Sequence, residues 1–384
     1  MPAERGERIP PFIVMEVLEK AIQMGREGHD VVHMEVGEPD FDTPRCVKEA
    51  AWRAMQEGET HYTHSLGLHE LREAISLHYR DKYAVEVDPE RVIVTSGSSP
   101  AMLLLFAALL DPGDEVILSN PCYACYPNIV EFVDGIPMEV PVFEEDGFQY
   151  RPRDIERRLG NRTRAVIINS PSNPTGNLLE PEVMEEIAAL AERGLYVVSD
   201  EIYHGLVYER KEHSILEFTD RAFVINGFSK LYAMTGWRLG YLIAPEEFVR
   251  PIQKMQQNLF ISANSFVQRG GIAALTEAGE EVAAMVRTYD ERRRFLLPKL
   301  REIGFGVAVE PHGAFYILAN ARAFADDSYA FALELLERAH VAVTPGIDFG
   351  SGAEGFIRFS YANNLENLAE GVRRLGEYLE ARRR

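Results

Sequence analysis

Short apolar runs rich in β-branched residues recur at 91–95, 115–119, 164–169, 195–199, 222–226 and 239–244. Between most of them lie longer stretches whose apolar residues return at helical spacing. In 180–193, for example, Val183, Ile187, Leu190 and Ala191 share one face. Strand alternating with helix predicts an α/β protein. Runs that are apolar throughout, such as RAVIIN and LYVVS, predict a mostly parallel sheet covered by helices on both faces. After about residue 245 the rhythm changes to long helical stretches, including 280–303. Two strand-like runs, GVAVEP and AFYILAN, and a last helix from Leu365 complete the chain. The pattern predicts a large domain over 45–285 and a smaller α+β domain formed from both ends, 1–44 and 286–384.

Composition narrows the setting. The chain has 384 residues, 46% hydrophobic and 26% charged, which excludes a disordered tail or a small disulfide scaffold. Its formal charge of −20 repels nucleic acid and anionic membranes, so neither is expected as a partner. The opening MPAERGERIPPF lacks the apolar core of a secretory signal, and the apolar run 101–110 is about half a membrane span. A cytoplasmic protein is expected. Cysteines stand at 46, 122 and 125, few enough for a reducing compartment. Cys122 and Cys125 form a C-x-x-C without a second pair, inside a proline- and tyrosine-rich turn. No metal site is expected there or among the ten histidines.

In an open α/β sheet, ligands bind outside the carboxyl ends of the strands, so the residues after each run carry the chemistry. After 91–95 comes Ser96-Gly97-Ser98-Ser99-Pro100-Ala101 and then a helical stretch. Such a start suits a phosphate on free backbone N–H groups, or an ordinary helix cap. After 164–169 follows Ser170-Pro171-Ser172-Asn173-Pro174, where two prolines stiffen the backbone that carries Asn173, as they would in a plain turn. Asp200 and Tyr203 follow 195–199; a carboxylate at the end of a buried strand needs a positive or proton-bearing partner, unless it caps the next helix. After 222–226 comes Gly227-Phe228-Ser229-Lys230, with Arg238 eight residues beyond the lysine. Lys230 is one of seven lysines, and the other six lie in charged or amphipathic helical surroundings. It reads as an amine nucleophile or Schiff-base lysine, or as an exposed loop residue. Together these strand ends offer a phosphate cradle, an acid, an asparagine or tyrosine, and an amine. Pyridoxal phosphate requires that set.

Seven motifs carry a family resemblance: GEPDFDTP at 37–44, HYTHSLG at 61–67, TSGSSPA at 95–101, NSPSNPTG at 169–176, SDEIY at 199–203, FSKLYAMTGWRLGY at 228–241 and IRFSYA at 357–362. In this order, spread from Gly37 to Arg374, they resemble the class I/II pyridoxal-phosphate-dependent aminotransferases of fold type I, in their bacterial-type aspartate, alanine or aromatic subgroup. The resemblance implies a seven-stranded, mostly parallel sheet in the large domain, and pyridoxal 5′-phosphate as cofactor. It implies that Lys230 forms the Schiff base and shuttles the proton, that Asp200 pairs with the ring nitrogen, and that Asn173 and Tyr203 hold the phenolic oxygen. Tyr123 would stack on the ring, while Gly97, Ser98, Ser99, Ser229 and Arg238 hold the phosphate. Tyr62 would reach the phosphate of a neighbouring subunit, which implies a homodimer with shared sites. Gly37, Asn173 and Arg358 would bind the substrate α-carboxylate. Gly227 stands where many relatives carry Ser or Thr, which removes one phosphate hydrogen bond.

The activity implied is ping-pong transfer of an amino group from an L-amino acid to a 2-oxo acid. A pyridoxal-phosphate C–S β-lyase, or another enzyme on the same fold, is the alternative reaction. A regulator that has lost catalysis would carry a DNA-binding extension, and no such basic segment precedes the fold. Some aspartate-specific relatives place a basic residue where Ser99 stands, so its absence leans toward neutral or broad donors. The run Ile9-Pro10-Pro11-Phe12-Ile13 covers the pocket in that reading, or is a surface coil.

Overall fold

The computed structural model describes residues 2–383. Met1 and Arg384, the outer ends of the expected small domain, lie outside the described residues. Among the described residues twelve strands form: β1 (Val32–His33), β2 (Val92–Thr95), β3 (Glu115–Asn120), β4 (Ile136–Pro141), β5 (Thr163–Asn169), β6 (Tyr196–Asp200), β7 (Ala222–Gly227), β8 (Gly240–Ile243), β9 (Tyr316–Asn320), β10 (Val341–Ala342), β11 (Thr344–Pro345) and β12 (Phe356–Ser360). Seven of them make one sheet in the order β2-β8-β7-β6-β5-β3-β4. All its neighbours are parallel except β8, which runs against both β2 and β7. The apolar runs are explained by two layers. Val94, Ile117, Val166 and Val197 pack into one hydrophobic cluster, and their chain neighbours Ile93, Leu118, Ile167 and Val198 into another.

Strand direction places the chemistry. The carboxyl ends of β2, β3, β5, β6 and β7 lie on one edge, so Thr95, Asn120, Asn169, Asp200 and Gly227 end side by side. Because β8 is reversed, its first residue Gly240 pairs with Thr95 and Gly227, and Arg238 enters at this same edge. The sequence reading contains no counterpart of β4, whose IPMEVP carries Pro137 and Pro141. Its place at the sheet edge accounts for that, since only there are prolines tolerated in a ladder.

The later part holds the antiparallel sheet β11-β12-β9, with β1 pairing β10 beside it. AFYILAN gives β9, but GVAVEP is not a strand: only Gly306 bridges to Asn320. The Arg301 guanidinium donates to the Val307 carbonyl at 2.8 Å and takes an acceptor that a ladder would have used. Three predicted helices form as Pro181–Ala191, Gly279–Glu302 and Leu365–Arg383. The expected boundary at 285 falls inside the second of these. Among the described residues, no helix is long and apolar enough to cross a membrane.

Candidate active site

At the end of β2, Gly97 turns with φ +103° and the helix Ser98–Leu109 begins without a side-chain cap. A Cβ on Gly97 would stand 2.7 Å from the Arg238 guanidinium, and one on Gly240 would stand 2.7 Å from the Gly97 carbonyl carbon. Glycine at both positions lets the first N–H groups of the helix and the Arg238 charge face one small space, a combination suited to an anion.

Asp200 ends β6 and is 3% exposed. Its carboxylate accepts from the Tyr126 hydroxyl at 2.7 Å and from the Ile202 N–H at 3.1 Å, both neutral donors. Its register neighbour Asn169 donates to the Asp200 carbonyl at 2.9 Å and accepts from the Asn173 N–H at 2.8 Å, which ties the two loops together. Burial pushes the Asp200 carboxyl up to about 6. The cofactor-free fold therefore holds this proton to higher pH than the unfolded chain does. Stability from that proton is complete below about pH 4 and is lost as pH rises through 6. Asp200→Asn is neutral throughout, so the melting-temperature gap between cofactor-free Asp200→Asn and wild type should widen in favour of the variant by about 2–5 °C between about pH 4.5 and 7.5. A gap independent of pH would refute the assignment. Glu201, also raised by burial, is common to both proteins and cancels.

Lys230 lies three residues beyond β7, and its amine donates to the Gly37 carbonyl at 2.6 Å. Burial lowers it to about 8, opposed by Glu38 and helped by Arg358 and Arg238. Gly37 is sterically required, because a Cβ there would overlap the Tyr316 hydroxyl at 1.8 Å. That hydroxyl lies 2.9 Å from the Tyr203 hydroxyl. Arg358, on β12 and 3% exposed, donates to Asn173 Oδ1 at 2.8 Å, the Glu35 carbonyl at 2.5 Å and Thr344 Oγ1 at 3.1 Å. Its guanidinium stacks 4.3 Å from the Tyr316 ring centre, and its buried Nε has no partner among the described residues.

These groups surround one cavity of about 200 Å³, whose lining includes Gly37, Ser98, Ser99, Tyr123, Asn173, Asp200, Tyr203, Lys230 and Arg358. Gly97 and Arg238 adjoin it through the start of the helix. Ser229 is buried beside Lys230 but is not part of the lining. Tyr62 stands apart, 80% exposed on its own chain. The residue-level reading missed Tyr126, Tyr316 and the Glu35 carbonyl. The expected turn around Cys122 and Cys125 continues as the helix Cys125–Phe132, which holds Tyr126 three residues after Tyr123, and Tyr316 is an inward residue of AFYILAN; spacing alone distinguishes neither from core. All three cysteines are free, and burial raises the Cys122 and Cys125 thiols.

The model for aminotransferase class I and II matches residues 29–375. The chain belongs to this family. Among curated aminotransferases it is 43% identical over 372 residues to the (5-formylfuran-3-yl)methyl phosphate transaminase of Methanocaldococcus jannaschii, covering 96% of each. It is 41% identical to the aspartate/prephenate aminotransferase of Thermus thermophilus, covering 98% of each. The solved Thermus thermophilus aspartate aminotransferase with maleate superposes with a TM-score of 0.95 at 40% identity, over 98% of this chain and 99% of that one. A Methanococcus jannaschii structure, described as similar in its active site to kynurenine aminotransferases, gives 0.91 at 41%, over 99% and 100%. The fold is thus pyridoxal-phosphate fold type I. The chain is a transaminase that uses pyridoxal phosphate, and amino and 2-oxo acids are its class of substrate.

Proposed function

We propose that this aminotransferase takes neutral L-amino acids, alanine or aromatic ones, and passes the amino group to a 2-oxo acid in two half-reactions. The carrying observation is the cavity lining: Lys230 and Arg358 are its only cations among the described residues, and Phe12, Val14, Met15, Val36 and Ile202 supply apolar surface. Arg358 is committed to an α-carboxylate in this reading. A second carboxylate on the donor would then be desolvated against methyl groups and a phenyl ring, which is unfavourable.

The residues present fit the cofactor. A buried carboxylate met only by neutral donors suits a protonated ring nitrogen, and the uncapped helix start beside Arg238 suits a phosphate. Bound there, pyridoxal phosphate supplies an electron sink for the donor's Cα. Asp200, held by Tyr126, would keep a proton on the ring nitrogen. Asn173 and Tyr203 would hold the phenolic oxygen, with Tyr316 orienting Tyr203. Tyr123 would pack on the ring. Gly97, Ser98, Ser99, Ser229 and Arg238 would hold the phosphate. Arg358, steadied by Asn173 and Thr344, grips the donor α-carboxylate beside Gly37. The Lys230 amine would take the Cα proton, and in the cofactor-free site burial already lowers its pKa to about 8, toward the neutral form.

In this reading Tyr62, exposed on its own chain, would serve the phosphate site of a second copy. This homodimer predicts a solution mass twice 43.3 kDa; a monomeric mass in active enzyme would exclude it. We assign the protein to the cytoplasm, in keeping with its three free cysteines.

Support for aromatic donors comes from the Methanococcus jannaschii structure likened to kynurenine aminotransferases. The aspartate aminotransferases among the relatives support a second reading, with the distal carboxylate met by a group outside this chain's cavity. Steady-state rates with 2-oxoglutarate or pyruvate as acceptor distinguish the two. L-Alanine or L-phenylalanine should exceed L-aspartate in kcat/KM by about tenfold or more, the scale of one desolvated charge on a neutral wall. A preference for aspartate would overturn the donor assignment, and pyruvate with ammonia released without an acceptor would favour the C–S β-lyase.

A further inference from the structure

The helix Ile13–Arg26 begins without a side-chain cap: its N-cap is Phe12, whose carbonyl accepts from the Met15 N–H at 2.9 Å but whose side chain has no acceptor for the N–H groups of Ile13 and Val14. The missing acceptor comes from far along the chain. Asp348 Oδ1 accepts from the Ile13 N–H at 3.0 Å, and Oδ2 from the Val14 N–H at 3.3 Å. Among the described residues, 9–15 make no other hydrogen bond to a distant part of the chain.

The anchor itself is fixed. Asp348 is 9% exposed and lies in the turn Gly346–Phe349, directly after β11, whose Thr344 pairs with Arg358. The Phe349 carbonyl accepts from the Cys122 N–H at 3.0 Å, beside Tyr123, and its ring lies 4.8 Å from the Arg358 guanidinium. A few residues on, the Gly352 N–H donates to Asn120 at the end of β3 at 2.7 Å. One turn thus joins the arginine strand, the Tyr123 loop and the N-terminal segment.

What Asp348 holds is a wall of the cavity. Phe12, Val14 and Met15 line the same space as Lys230 and Arg358, and the Phe12 ring meets Tyr123 edge-on at 6.2 Å. We propose that Asp348 is a positioning residue for the amino-acid donor: its carboxylate fastens the start of the Ile13–Arg26 helix, so that Phe12, Val14 and Met15 close against the donor side chain. This rests on the reading above that the cavity takes the donor. The Lys230 chemistry does not involve Asp348, so the effect is on donor binding and not on the proton transfer.

The test uses the holoenzyme of wild type, Asp348→Asn and Asp348→Ala in two measurements. Trypsin cleavage after Arg8, read by mass, reports whether the segment 9–15 is fastened. Cleavage should be about tenfold faster in Asp348→Ala and intermediate in Asp348→Asn, which keeps one acceptor oxygen. KM should rise about tenfold in Asp348→Ala, with kcat within about twofold, for whichever of alanine, phenylalanine or aspartate the wild type turns over. Cleavage rates equal to wild type in both variants would overturn the fastening. Faster cleavage with unchanged KM would overturn the positioning role. If Asp348→Ala does not fold, the near-isosteric Asp348→Asn carries both comparisons. A wild type that turns over aspartate but not the neutral donors defeats the donor assignment and leaves the Asp348 test intact, because cleavage and KM are still compared.

Discussion

Lys230→Ala should lose turnover by at least about 10⁴-fold while remaining folded. No other group in the cavity can take over the proton. Among the described residues the lining holds no histidine, and burial raises the hydroxyls of its tyrosines, Tyr123, Tyr126, Tyr203 and Tyr316, above the ordinary tyrosine range. Asp200 is engaged by Tyr126 and the Ile202 N–H. The fold should tolerate the change because the amine makes a single described hydrogen bond, to Gly37, and burial already disfavours its charge. Single-turnover rates and a melting curve check both halves. A loss below about tenfold, with the melting temperature unchanged, would remove Lys230 from the chemistry.

Arg358→Lys should cost almost as much as Arg358→Ala, about 10²–10³-fold in kcat/KM for the donor and mostly in KM. One Nη atom is held by Asn173, the other by the Glu35 carbonyl and Thr344, and Tyr316 and Phe349 stack on the guanidinium. That frame fixes a planar fork. A lysine ammonium has no plane to stack and cannot satisfy the frame and a carboxylate together. KM and kcat measured separately check this. A Lys variant with KM within about threefold of wild type would mean that the carboxylate is bound elsewhere.

Much of this site is legible in the sequence because strand ends are. Asp200, Asn173, Lys230 and the Ser98 helix start each follow an apolar run, and a parallel sheet brings such positions to one edge whatever the lengths between them. The second partners are not legible in the same way. Tyr126 reaches Asp200 across 74 positions, and Asp348 reaches Ile13 across 335. Local periodicity carries no information on such pairs. Alternation also misleads where side chains pack but the backbone is bonded elsewhere, as with Val307, whose carbonyl is held by Arg301. β4 reverses that case: its prolines argue against a strand, and only its edge position permits one.

The central claim is that the site moves an amino group in two separable halves. Wild-type holoenzyme mixed with excess L-phenylalanine or L-alanine, and no 2-oxo acid, tests it most directly, with the products quantified by mass. One equivalent of the corresponding 2-oxo acid per chain should form and then stop, and adding 2-oxoglutarate or pyruvate should restart it. Continuous release of ammonia without an acceptor, or no 2-oxo acid from any donor, would contradict the account.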